Sequence, residues 1–230
     1  MAINVIDRNE QKYFITDSQY EKLIKKIGKK IEEDLYFKER IYNLYFDNVN
    51  NYLINKSMDK PIYKEKIRLR SYEVPNDNSI VFLEIKKKFK DISNKRRIEL
   101  KFKDVLNYIE NGVIPNTESI IMNEIDYSFK RYNLKPNISI TYDRFSYYLK
   151  EDSNFRITFD NNVRYSKNIL KLDDLDSEEV LFKSGYIMEI KTLESVPIWF
   201  NKILDELNIY PTSYSKIGKI YTKIGGESYV

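Results

Sequence analysis

Hydrophobic and charged residues alternate over four stretches of this chain, and a period of two is the signature of a strand with one buried face. In Lys64–Tyr72, Lys66, Arg68 and Arg70 fall on one side and Glu65, Ile67 and Leu69 on the other. In Ile80–Lys88, Val81, Leu83 and Ile85 oppose Phe82, Glu84, Lys86 and Lys88. In Lys95–Lys101, Lys95, Arg97, Glu99 and Lys101 oppose Arg96, Ile98 and Leu100. Gly185–Thr192 repeats the pattern, with Glu189 and Lys191 opposite Met188 and Ile190. Shorter aromatic and β-branched runs predict further strands at 9–15, 41–46, 138–145 and 154–159.

Helical spacing shows elsewhere. Tyr20, Leu23, Ile24, Ile27 and Ile31 predict a helix over 19–32, with Ser18 and Glu21 at capping-box spacing. Residues 104–109 predict a short helix ending before Gly112, and 118–132 a longer one on Ile121, Ile125, Phe129 and Tyr132. Ser195 and Pro197 open a helix carrying Trp199, Ile203 and Leu207. Residues 47–51 and 75–79 read as turns, 173–179 as an acidic turn, and the tail from Tyr210 to Ile224 as strand-like. Pro136 is expected to end the second helical region. Strands outnumber helices without βαβ alternation. We expect one domain over residues 1–230, of the α+β class, built on an antiparallel sheet.

Composition narrows the chemistry. The 230 residues contain no histidine and no cysteine. Thiol nucleophiles, disulfides, zinc–thiolate sites and histidine bases are therefore excluded, and a metal would sit on oxygens, which favours Mg²⁺ or Mn²⁺. The net charge of +4 says little until the charges are placed. No run of 18 apolar residues is present, so no membrane segment is expected, and the first fifteen residues lack a signal-peptide core. The expected location is cytoplasmic. Gly-rich phosphate loops and kinase signatures are absent.

The charged strand faces are what the pattern leaves to explain. A face that merely meets water mixes polar types and both charge signs. These collect Lys66, Arg68 and Arg70, then Lys86 and Lys88 beside Glu84, then Lys95 and Arg97, with Arg144, Arg156 and Lys191 on later strands. If the sheet curls with those faces inward, it forms a basic channel with a few carboxylates. Crowded cations cost energy unless carboxylates or a bound anion compensate. Composition and spacing alone leave a solvated face and a polyanion site open. Polyphosphate or a nucleoside triphosphate fits better than nucleic acid, which is not expected as a partner.

In order along the chain, the motifs resemble the VTC domain, the polyphosphate polymerase module within the broader triphosphate tunnel metalloenzyme (CYTH-like) group. The resemblance runs from Arg8 to about Tyr221. It rests on Arg8, Glu10, Lys12 and Tyr13; on the strand Ile41–Asp47; on Lys66-Ile67-Arg68-Leu69-Arg70; and on Val81-Phe82-Leu83-Glu84-Ile85-Lys86 with Lys95-Arg96-Arg97. It continues in Tyr142-Asp143-Arg144, Phe155–Asp160, Met188-Glu189-Ile190-Lys191 with Pro197 and Trp199, and Ser215-Lys216.

The resemblance implies an antiparallel β-barrel tunnel with inward-facing charged residues and helices packed outside. It implies transfer of the terminal phosphate of ATP onto a growing polyphosphate chain, with Mn²⁺ or Mg²⁺. Substrate-binding roles fall on Lys12, Arg68, Arg70, Lys86, Lys95, Tyr142, Arg144, Arg156, Lys191, Ser215 and Lys216. The metal-ligand role falls on Glu189, with Glu10 and Glu84 as further ligands or as orienting partners. ATP and inorganic polyphosphate or triphosphate are the implied partners, and a separate membrane protein could receive the polymer. Two other readings stay open: a triphosphate hydrolase, and a polyphosphate-binding module without turnover. Two positions depart from the pattern. Arg8 stands where hydrolytic members carry the first glutamate of Glu-x-Glu-x-Lys, which weakens a two-metal hydrolase. Ser213 stands where a basic residue would precede the closing Ser-Lys.

Overall fold

The computed structural model describes residues 9–59, 61–90, 92–167, 172 and 179–227. The alternating stretches form strands, and the helically spaced ones cover their apolar faces. In chain order the elements are β1 (Asn9–Ile15), α1 (Asp17–Ile27), β2 (Ile31–Asp47), α2 (Tyr52–Met58), β3 (Tyr63–Ser71), β4 (Ile80–Phe89) and β5 (Ile92–Lys101). They continue with α3 (Phe102–Asn111), α4 (Ile120–Tyr132), β6 (Lys135–Leu149), β7 (Asp152–Ser166), β8 (Glu179–Val180), β9 (Tyr186–Thr192), α5 (Ile198–Glu206) and α6 (Lys216–Glu227).

The strands form one sheet in the order β1-β9-β7-β6-β2-β3-β4-β5, with β8 on β7. The expected barrel is not formed. The order starts at β1 and stops at β5, so the sheet is open. Alternation dictates which face of a strand is charged; closure also needs a hydrogen-bonded register between first and last strands, which alternation does not encode. The outer side of β1 is instead met by the chain itself, where Thr212 N–H donates to the Lys12 carbonyl at 2.7 Å.

The chain divides into two compact units. The first comprises Met1–Arg40, Tyr142–Val163 and Val180–Val230. Its core sets Tyr13, Ile15, Phe155, Ile157, Phe159, Met188 and Ile190 of the strands against Leu23 and Ile27 of α1 and Phe200 and Leu204 of α5. The second unit comprises Ile41–Thr141 and Arg164–Glu179. There Leu44, Phe46, Ile67, Leu69, Val81, Leu83 and Ile85 pack against Phe102 and Val105 of α3 and Met122 and Ile125 of α4. In both units the apolar strand faces lie under helices and the charged faces lie opposite.

Several boundaries differ from the sequence reading. Helix α1 starts at Asp17 because Thr16, not Ser18, is the N-cap: Gln19 N–H donates to Thr16 Oγ1, and the Gln19 side chain accepts from Thr16 N–H. Ile31 begins β2, which runs through 17 residues. Pro136 lies inside β6, not at a helix end. Pro197, not Ser195, caps α5. The tail is helical from Lys216, where Ser215 Oγ accepts from Gly218 N–H at 3.3 Å. Of the acidic turn at 173–179, residues 173–178 lie outside the described residues, as does Arg8.

Candidate functional site

In the second unit the antiparallel register sets like-facing residues into rows. Asn43, Arg70, Phe82 and Glu99 make one row, and Tyr45, Arg68, Glu84 and Arg97 the next. Lys66, Lys86 and Lys95 follow. Glu84 is the hub of this face. It is 2 % exposed, and one oxygen accepts from Arg68 at 2.7 Å while the other lies 2.8 Å from Lys95 Nζ. Arg68 also donates to Tyr45 Oη, and Arg70 Nε to Asn43 Oδ1 at 3.0 Å. Burial pushes the Glu84 carboxyl up, but Arg68, Arg70 and Lys95 outweigh it and hold it at about 2. Burial and Arg68 bring Lys95 down to about 7 although Glu84 opposes them; its side chain is 42 % exposed, so water moderates the effect. One carboxylate thus faces three cations, and the cluster is left positive.

The first unit holds the other predicted residues, in two linked groups. Glu10, Lys191 and Arg156 form one row, and Lys12, Glu189 and Thr158 the next. Glu189 Oε1 lies 2.6 Å from Lys191 Nζ, its Oε2 lies 4.0 Å from Lys12 Nζ, and Glu10 lies 2.9 Å from the same ammonium. Burial raises the Glu189 carboxyl, yet Lys191, Lys12 and Arg144 together hold it well below the usual carboxylate range. The second group centres on Asp160, which is fully buried and takes two bonds from Arg144, at 2.6 and 2.8 Å, and one from Lys216. Burial raises Asp160; Arg144 and Lys216 override it and bring it to about 2.

The Tyr142 ring lies beside this group. Lys216 Nζ lies 4.2 Å and the Arg144 guanidinium 5.4 Å from its centroid. Ser215 immediately precedes α6, and Lys216 is the first residue of that helix. Arg156 is drawn to Asp34 of β2. Asp143, although part of a quoted motif, binds Arg40 instead.

Three orienting residues escaped the sequence reading: Asp160, Asn43 and Asp34. Asp160 and Asn43 stand inside quoted motifs, and Asp160 shares the parity of Arg156 along β7, which was the available signal. Asp34 carries no local signal, because its partner Arg156 is 122 positions away.

Metal ligation can be weighed on the donors present. Among the described residues no three carboxylates converge. Glu189 and Glu10, both reaching Lys12, are hard oxygen donors, and Mg²⁺ commonly takes only one or two protein carboxylates while phosphates and water complete its shell. The residues fit a cation that arrives with a phosphate ligand. Both oxygens of Glu84 are already engaged by Arg68 and Lys95.

The VTC domain family model matches residues 7–222. A search of curated protein sequences finds no match. Among solved structures, a candidate adenylate cyclase from Bacillus halodurans aligns with a TM-score of 0.57 at 15 % identity, over 90 % of this chain and 94 % of its own. A Pyrococcus horikoshii OT3 protein aligns at 0.48 and 19 % identity, over 94 % and 99 % of the two chains. A candidate adenylate cyclase from Vibrio parahaemolyticus aligns at 0.48 and 11 %, over 93 % and 97 %. At 15 % identity the Bacillus halodurans likeness is one of fold.

Proposed function

Because the chain belongs to the VTC domain family, within the triphosphate tunnel metalloenzyme (CYTH-like) group, we propose that it is a polyphosphate polymerase that moves the terminal phosphate of ATP onto a growing polyphosphate chain. The observation that carries this reading is Glu84 with Arg68, Arg70 and Lys95: a buried carboxylate that fixes cations in place and leaves them in excess on one strand face.

Phosphoryl transfer needs positioning and charge stabilisation more than a covalent nucleophile. Arginine forks grip nonbridging oxygens in pairs, and lysines act as point charges. Here Glu84 and Asn43 aim the forks of Arg68 and Arg70, and Asp160 aims Arg144 and Lys216. Prepaid orientation of this kind removes reorganisation from the reaction itself. The attacking oxygen belongs to the terminal phosphate of the acceptor chain. It forms the new P–O bond to the γ-phosphorus of ATP as the bond to the β-phosphate oxygen breaks, and ADP leaves with that electron pair. The attacking group is already anionic, so no side chain need accept a proton, which suits a chain without histidine. Glu189, with Glu10 beside Lys12, would hold Mg²⁺ or Mn²⁺, which supplies charge neutralisation on the phosphates when bound. ATP as donor fits a cytoplasmic enzyme; among the described residues no helix is long and apolar enough to cross a membrane.

The test is incubation with ATP and Mn²⁺ or Mg²⁺, followed by separate assays of polymer, ADP and orthophosphate. Polymer with stoichiometric ADP is expected, and Arg68→Ala/Arg70→Ala should lower its rate by about 100-fold or more. Orthophosphate without polymer would make the protein a triphosphate hydrolase, and tight tripolyphosphate binding with neither product a binding module.

A further inference from the structure

The strand register carries the basic face of the second unit beyond the residues used above. After the row Tyr45–Arg68–Glu84–Arg97 comes Lys66–Lys86–Lys95, and after it Lys64–Lys88–Ser93. These last two rows contain five lysines and one serine. Successive rows lie about 7 Å apart along the strands, so the outer lysine row stands about 14 Å from the arginine row. Lys64 and Lys88 face each other directly across β3 and β4, an arrangement that costs stability in a plain sheet. They are half-buried, and burial together with Lys88 lowers the Lys64 ammonium below its ordinary value. Sheets ordinarily avoid stacking like charges in adjacent rows. A linear polyanion lying along them turns the repulsion into a binding surface.

We propose that the Lys64–Lys88 row, continuing Lys66–Lys86–Lys95, is a subsite for the internal phosphates of a long polyphosphate chain. The inference rests on the polyphosphate reading above and adds to it a recognition of chain length. Phosphates held at the arginine rows leave this ladder to the rest of the chain, so only a longer polymer engages it. The two lysine rows carry no aromatic ring on which a base could stack, which favours bare polyphosphate over single-stranded nucleic acid.

The experiment is calorimetry in chelator with tripolyphosphate, with polyphosphate of about 15 units and with an oligonucleotide of matched charge. Wild-type protein is compared with Lys64→Gln/Lys88→Gln and with Lys64→Arg/Lys88→Arg, each checked for native melting. The glutamine variant should lose about tenfold in affinity for the long chain, show a shallower salt dependence, and bind tripolyphosphate within about twofold of wild type. The arginine variant should restore long-chain binding. Equal losses for both phosphates, or no loss for either, would overturn the ladder while leaving the polyphosphate reading intact. Tighter binding of the oligonucleotide, with the same sensitivity to the two lysines, would reassign the surface to nucleic acid and overturn the proposal. A wild-type protein that binds neither phosphate would overturn both readings.

Discussion

Glu189 separates binding from catalysis most directly. Its carboxylate is nearly buried and ionised by Lys191, Lys12 and Arg144. Beside phosphates such a group repels unless a cation intervenes. In the structure Lys191 and Lys12 lie beside it, and on the proposed reaction Glu189 would orient these lysines before substrate binds and hold the divalent cation after it. Glu189→Gln keeps the volume and removes the charge. We expect metal-free tripolyphosphate binding to hold or tighten, while Mn²⁺-dependent polymer formation falls by about 100-fold or more. A Mn²⁺ titration of turnover, set beside affinity measured in chelator, checks both halves. Unchanged turnover in the folded variant would remove the metal-ligand role.

The element most dependent on one side chain is α2. Asp47, the last residue of β2, is buried, and its two oxygens accept from the backbone N–H groups of Leu53 and Ile54, both at 2.9 Å, and of Asn48 at 2.8 Å. The nominal cap, Asn51, makes no side-chain bond to the helix. Asp47 therefore does the work of a cap from outside the helix and ties it to the strand that carries Asn43 and Tyr45. Burial outweighs these bonds and raises the Asp47 carboxyl above its ordinary value. Asp47→Ala would leave buried N–H groups without an acceptor, and we expect it to cost about 2–4 kcal/mol, read from denaturant unfolding. Asp47→Asn, which keeps one acceptor oxygen, should cost less. The sequence shows Asp47 only as the end of a strand motif, because its partners sit six and seven residues on in a helix that the pattern does not announce.

Across the whole molecule three buried, cation-paired carboxylates set the acid limit. Glu84 in one unit, and Asp160 and Glu189 in the other, are all held below their unfolded values by facing cations. A depressed carboxyl stabilises the fold fully above its unfolded pKa and loses that contribution as pH falls through the folded one. The window runs from about 4.5 for Glu84 and from about 3.8 for Asp160, in both down to about 2, and the shifts are worth about 3 and about 2 kcal/mol. Their contribution should stay level from pH 7 to 5 and then fall steadily towards pH 2. Urea midpoints across that range check it, and Glu84→Gln should flatten the fall attributable to the second unit. The alternating strands, their charged faces and the family were determined by the sequence itself, because alternation and motif order are local properties that the chain carries however it folds. Parity placed Arg68, Arg70, Glu84, Lys95 and Glu189 on charged faces, and the resemblance in motif order singled them out there. Tertiary structure decided what parity cannot encode. It left the sheet open between β1 and β5, and it turned the tail from Lys216 into a helix. It also gave Arg144 and Lys216 to one buried Asp160, and Arg156 to Asp34. Those pairings join residues tens of positions apart, and their energies arise only when the strands that carry them are brought side by side.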